Sequence, residues 1–366
     1  MVATLRVVLD QSPEPRLAEA SRELSKALVL GAPDGCEVEA IVPAGVDSPD
    51  VAGLSDVRHT ALARRELAAA LQLGIGTGIG GGMIHSPSLF APLVRHDRVH
   101  DHDQTVVTVW DLRAWDAPDE LPRGVAAWHK AMLKRAVRHA DAVVVPTHSL
   151  SARLVGIAPK LADRVRVIAG ASPLGFGVPR DEVGRRRSLD LPEGCVLLSG
   201  GPPASHALAV GFAAVAASGI DLPVVVIDAP AGLEPAVAEL ASASGLPERR
   251  LHVRGALDAA DRAAVYGSAV AFVAPSTAAG FPWRVVDALT LGVPVIAADS
   301  EVHREVVVDG GVLVEADESS ALGAALRDAV ASAAAADRLA VLAGDRGRAF
   351  SWREAADKVW MLHAEL

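Results

Sequence analysis

The richest chemistry lies in Ala279-Gly280-Phe281-Pro282-Trp283-Arg284-Val285-Val286-Asp287-Ala288-Leu289 and its continuation, Leu291-Gly292-Val293-Pro294-Val295-Ile296-Ala297-Ala298-Asp299. The order reads as a glycine-opened loop, a helix, a Gly-x-Pro turn and a buried strand. A helix N-terminus behind such a loop turns backbone N–H groups and the positive end of its dipole outward. That arrangement suits an anion such as a diphosphate. Ala279, Gly280, Phe281, Pro282 and Trp283 are the backbone that would approach the anion. Ser276, at the preceding strand end, either touches a phosphate or satisfies the loop backbone. Gly280 and Gly292 would equally serve as tight-turn residues.

Two groupings have suitable residue types at unsuitable spacing. Gly76-Thr77-Gly78-Ile79-Gly80-Gly81 matches a dinucleotide fingerprint, but that fingerprint needs a strand before it and a helix after it. Here a helix-like segment precedes and Met83-Ile84-His85 follows, so the stretch reads as a loop. His96, His100, Asp101, His102 and Asp103 carry metal-compatible groups without a recognised ligand spacing. They read as a solvated loop, and no metal is expected. Cys36 and Cys195 read as reduced structural thiols.

The elements that must position these residues alternate. Short apolar runs fall at 5–9, 38–42, 106–109 and 142–145, then at 165–168, 196–199, 224–227, 252–253, 269–274 and 293–297. Segments with helical spacing lie between them at 16–30, 123–139, 207–217, 233–244 and 258–266. Alternation of this kind predicts parallel sheets covered on both faces, with ligands at the carboxyl ends of the strands. The turn-rich stretch 170–179 ends one series, and a second begins after Leu191-Pro192-Glu193-Gly194. The expected domains are 1–175 and 176–348, with 349–366 as a terminal helix capped by Ser351.

Composition agrees. A chain of 366 residues exceeds one comfortable core, and 51% hydrophobic residues with only 4% aromatics suits Val-rich strands under Ala-rich helices. A net charge of −10 argues against general affinity for nucleic acid. The run Arg185-Arg186-Arg187 reads as a solvated linker. The first residues read as an opening strand without a signal peptide's apolar core. The apolar stretch 207–227 is broken by Ser218, Gly219, Asp221 and Pro223 and divides into a helix and a strand. The expected location is cytoplasmic, with peripheral attachment at the inner membrane face as a variant.

The loop and helix at 279–289 resemble the donor-binding signature of GT-B glycosyltransferases, especially the retaining, bacterial mannosyltransferase-like enzymes of glycosyltransferase family 4. His85-Ser86-Pro87 to Leu93, Val106 to Leu112, Trp128-His129-Lys130 and Ala140-Asp141 to Ser149 resemble that family's acceptor domain. Glu305-Val306 to Val314 resembles its closing segment. The resemblance implies two Rossmann-like domains, with parallel sheets facing an inter-domain cleft and the last helix crossing back to the first domain. It implies a nucleotide-diphosphate sugar donor as co-substrate, no other cofactor, and a glycan or lipid-linked acceptor.

By position, the family's second donor-site carboxylate, which holds the ribose, falls on Asp287, and the first falls on Ala279. The family's Gly-rich turn falls on Gly200 and Gly201, and its Arg and Lys fall on Ser205 and His206. Arg254, Arg284, Arg113 and Lys130 are candidate replacement cations. In the first domain the strand-end histidine is replaced by Trp110, with Asp111 beside it; Trp110 reads equally as packing or as a stacking platform. His85 and His148 are expected near the acceptor. The reading is hexosyl transfer in polysaccharide or glycoconjugate synthesis. The alternative is a catalytically degenerate GT-B subunit supporting a partner glycosyltransferase; a nucleotide-sugar epimerase lacks an evident acid/base pair.

Overall fold

A computed structural model describes residues 2–10, 12, 14–75, 77–315 and 318–366. Gly76 of the fingerprint-like stretch lies outside the described residues. The chain divides into one lobe of Met1–Gly170 with Ser351–Leu366 and another of Ala171–Phe350.

In the first lobe, β1 (Ala3–Val8), β2 (Cys36–Ala44), β3 (Asp56–Ala63), β4 (Met83–Ser86), β5 (Gln104–Thr108), β6 (Ala142–Val145) and β7 (Val165–Val167) form a parallel sheet. Its spatial order is β3-β2-β1-β4-β5-β6-β7. The crossovers carry α1 (Pro15–Leu30), α2 (Arg64–Leu73), α3 (Arg113–Asp116), α4 (Val125–His139) and α5 (His148–Ile157). Pro at the first turn starts α1, and the Thr147 hydroxyl caps α5 by accepting the Leu150 N–H. β3 and β4 escape the apolar-run reading. β3, at the sheet edge, carries the polar run Arg58-His59-Thr60, and β4 is a four-residue strand behind a run of glycines.

The second lobe starts with α6 (Glu182–Ser188), β8 (Cys195–Ser199), α7 (Leu208–Ser218), β9 (Val224–Ile227), α8 (Glu234–Ala243), β10 (Leu251–Val253), α9 (Ala259–Tyr266) and β11 (Ala269–Ala274). It continues with α10 (Trp283–Thr290), β12 (Val295–Ala298), α11 (Glu301–Val307), β13 (Gly311–Val314), α12 (Ser319–Ala329) and α13 (Ala333–Gly347). Its sheet runs β10-β9-β8-β11-β12-β13, all parallel. Leu198, Phe212, Val215, Val226, Leu322 and Leu326 form the core under α7 and α12. A Cβ at Gly323 would lie 2.5 Å from the Ala214 carbonyl, so glycine is what lets these helices close. The Arg185-Arg186-Arg187 run lies in α6 and is not a solvated linker: Arg186 is buried, and Arg185 pairs with Asp181 and Asp261.

The last helix, α14 (Trp352–Glu365), is capped by Ser351 and belongs to the first lobe. Trp360 Nε1 donates to the Leu28 carbonyl at 3.1 Å, and the Trp352 ring meets Trp110 edge-on at 6.3 Å. His363 Nδ1 lies 2.9 Å from Gln104 Oε1 and its Nε2 lies 3.4 Å from His85 Nδ1. No helix among the described residues is long and apolar enough to cross a membrane.

Burial pushes the His363 imidazole down to about 4, against an opposing pull from Asp141. Burial, reinforced by His363, holds His85 well below its ordinary value. The unfolded chain takes up these protons near pH 6.5 and the folded lobe resists them. Folding therefore sheds protons in this window, so the contribution is intact above pH 6.5 and lost as pH falls toward 4. The His363 share is about 3 kcal/mol. Unfolding monitored across that range should show His363→Gln flattening the acid slope of the wild-type protein; an unchanged slope would refute the assignment.

Candidate functional site

Winding in the second sheet reverses between the neighbours β8 and β11, where an open α/β sheet leaves a crevice at its carboxyl end. β8 runs into Gly200 and Gly201. Gly200 is held at φ +126°, and a Cβ on it would come within 2.9 Å of His206 Nδ1. That nitrogen accepts the Gly201 N–H at 2.7 Å, which places the ring proton on Nε2 and leaves His206 a neutral imidazole in this arrangement. β11 runs into 275–282. There Ser276 Oγ donates to the Ser205 carbonyl at 2.6 Å and accepts from the Ala278 N–H at 3.2 Å. One hydroxyl thus ties the two loops flanking the reversal. Of the two roles open to Ser276, the structure displays the backbone one.

The loop ends in aromatic packing. Phe281 is buried, with its ring 4.6 Å from Trp283 and 6.3 Å from Phe350. Ala279, Gly280, Pro282 and Trp283 are partly exposed. The expected amide array is thinner than the sequence suggests. Pro282 has no N–H, and the Trp283 N–H turns back to the Phe281 carbonyl at 3.0 Å.

Behind this loop, α10 buries a charge network that sequence reasoning did not find. Arg284 donates to both Asp228 oxygens, Nε to Oδ2 at 2.6 Å and Nη2 to Oδ1 at 3.0 Å, and Nη1 donates to Asp287 Oδ2 at 2.8 Å. Arg262 Nε stands 2.9 Å from the same Asp287 oxygen, and its guanidinium lies over the Phe176 ring at 5.2 Å. Tyr266 Oη donates to the Arg284 carbonyl at 2.8 Å. All four charged side chains are at most 7% exposed. Burial works against the Arg284 charge, but Asp228, then Asp287, raise its pKa well above the ordinary value. Burial and Asp287 likewise keep Tyr266 protonated.

Asp287, expected to reach ribose hydroxyls, is 2% exposed and bound to two arginines instead. Its carboxylate balances buried cations and is shielded from solvent. Three of the four replacement cations, the arginines, are also engaged. Arg284 is internal, and Arg254 donates to the Leu189, Asp190 and Val253 carbonyls. Arg113 pairs with Asp111 and Glu14.

In the first lobe the winding reverses between β1 and β4. Trp110 is 5% exposed and donates Nε1 to the Pro87 carbonyl at 2.8 Å, which makes it a packing residue. His85 is fully buried, so the expectation of an acceptor contact there is corrected. His148 is exposed at the first position of α5, and Asp111 accepts from the Arg113 backbone N–H and Nε. Asp10, at the carboxyl end of β1, was missed. Burial raises its pKa against the opposing pull of Arg64, whose Nη2 is 3.6 Å away and whose Nε donates to the Asp10 carbonyl. The available signal was its place, immediately after the first strand. Of the presumed solvated loop, His96 is in fact paired with Asp141 at 2.8 Å; among the described residues no group of His, Cys, Asp and Glu is arranged to hold a metal.

Residues 205–332 match the family model described as Glycosyl transferases group 1, a stretch that starts just past Gly201 and spans the loop and α10. The solved structures it resembles extend over the whole chain. A sucrose-phosphate synthase from Thermosynechococcus elongatus superposes with a TM-score of 0.74 at 20% identity, covering 99% of this chain and 98% of that one. The fold is GT-B. Anabaena HepE, solved with UDP and glucose, gives 0.74 at 16% identity over 100% of both chains. A glycosyltransferase from Rickettsia africae gives 0.68 at 14%, covering 100% of this chain and 98% of that one. No curated protein matches the sequence.

The network yields a direct test. Arg284→Met takes the bidentate guanidinium from buried Asp228 and leaves Asp287 with Arg262 alone, which should cost the second lobe about 3–5 kcal/mol. Asp228→Asn with Arg284→Met should recover part of that loss, because removing both partners leaves less uncompensated charge. Denaturant unfolding of the single and double variants would reveal additive losses if the pair were uncoupled.

Proposed function

We propose that the protein is a nucleotide-sugar-dependent glycosyltransferase of the retaining, family-4 type. It transfers a hexosyl group to a glycan or lipid-linked acceptor in polysaccharide or glycoconjugate synthesis. One observation carries the reading: the glycosyl transferases match falls on the lobe whose sheet reverses between β8 and β11, with Gly200-Gly201 and the 276–283 loop at that reversal. The diphosphate would sit where glycine backbone allows close approach, against the N-terminal end of α10. HepE structures hold UDP and UDP-glucose, so uridine nucleotides are the first donors to test. In the first lobe, His148, Asp111 and Asp10 stand at strand ends suited to acceptor hydroxyls.

A second reading, a degenerate GT-B subunit that supports an active transferase, is favoured by a specific finding. Asp287, Arg284 and Arg254 all have protein partners, and the first carboxylate position is Ala279. Transition-state charge would then rest on a reduced set of backbone dipoles. Transfer and donor hydrolysis measured over a panel of UDP, GDP and ADP sugars separate the two. Turnover by the isolated chain supports the first; nucleotide binding without turnover, with a partner's activity lost on deletion of this chain, supports the second.

The sequestered Asp287 also fixes an expectation about selectivity. A carboxylate bonded to ribose hydroxyls would be worth about 1.5–3 kcal/mol, roughly 10- to 150-fold in affinity. Calorimetry with uridine diphosphate and its 2′,3′-dideoxy analogue should show less than about a 10-fold difference. A larger ribose preference that disappears in Asp287→Asn would restore the direct contact.

A further inference from the structure

We infer that the first lobe holds a binding site for one ordered water molecule, which joins His85 Nε2 to Thr108 Oγ1 beneath Trp110. A cavity of about 10 Å³ lies there, walled by Leu24, Val144, Ile168 and Val359 and lined also by His85 and Thr108. That volume is about what one water needs, and water enters so small a space only where polar groups receive it. Both polar groups are present. His85 is 0% and Thr108 2% exposed, and neither His85 Nε2 nor Thr108 Oγ1 has a hydrogen-bond partner among protein atoms.

The tautomers follow from the partners. His363 Nδ1 faces the Gln104 carbonyl oxygen, an acceptor, so it carries the proton and its Nε2 is an acceptor. His85 Nδ1 faces that acceptor and must itself be protonated. In the neutral ring this leaves His85 Nε2 unprotonated, needing a donor. A water can donate to it and accept from the Thr108 hydroxyl. The result is a continuous chain from Gln104 on β5 through His363 on α14 and His85 on β4, then back through water to Thr108 on β5.

The proposal does not depend on nucleotide-sugar chemistry. Its test is a crystal structure of the full chain at a resolution that shows ordered solvent, for the wild type and for Thr108→Val. Density within hydrogen-bond reach of both His85 Nε2 and Thr108 Oγ1 in the wild type, lost in the valine variant, is the expected result. A direct bond between those atoms, or a dry cavity, would overturn it. Nitrogen NMR of His85 supplies an independent reading: protonation at Nδ1 supports the chain and protonation at Nε2 refutes it. Thr108→Ser should leave Tm nearly unchanged while Thr108→Val lowers it by roughly 2–6 °C; equal Tm values would count against a bridging water. Should the valine variant fail to fold, the wild-type crystal structure and the NMR tautomer still decide.

Discussion

A buried guanidinium cannot escape its cost by losing a proton, so it must be met by carboxylates in fixed places. Burial of Arg284 imposes that demand on the second lobe. Each ion removed from water costs several kcal/mol unless geometry and hydrogen bonds offset it. Asp228 answers from the end of β9, in a left-handed conformation at φ +62° that aspartate tolerates better than most residues. Asp287 answers from the next turn of α10, and Arg262 on α9 balances the charge it adds. Strand β9 and helices α9 and α10 are therefore held in register by electroneutrality as well as by apolar contact.

That balance shapes what the neighbouring surface can offer. With two cations and two anions closed on themselves, the region behind the 276–283 loop presents little net charge outward. The polarity at the β8–β11 reversal comes from glycine backbone, the Ser276–Ser205 tie and a neutral His206. An anion bound there, as proposed, would meet fixed dipoles, which cost no proton uptake and little reorganisation. The first lobe has the opposite character, with Asp10, Arg64, Glu14, Arg113 and Asp111 paired around its strand ends.

The architecture was readable because buried parallel strands must be continuous apolar runs, and ten such runs separated by helical spacing leave few alternatives. β3 was hidden because its polar residues, Asp56, Arg58, His59 and Thr60, break the apolar run at a sheet edge. The loop and α10 were readable from local order alone. The fate of Asp287 was not, since its partner Arg262 lies on a different helix and Asp228, which shares Arg284 with it, on a different strand end. Trp110 shows the same limit. A strand-end indole looks available until Pro87 and Trp352 are seen to cover it.

The return of α14 to the first lobe carries a consequence for biosynthesis. Its tryptophans and His363 complete a lobe whose other parts were translated before residues 171–350. At about 5–20 residues per second, the ribosome needs roughly 10–40 s to make that intervening stretch. During this interval the nascent first lobe lacks its closing helix, with the seats for Trp352 and Trp360 uncovered. A chaperone that shields exposed apolar seats would be needed most in that interval, until α14 has been made and docked.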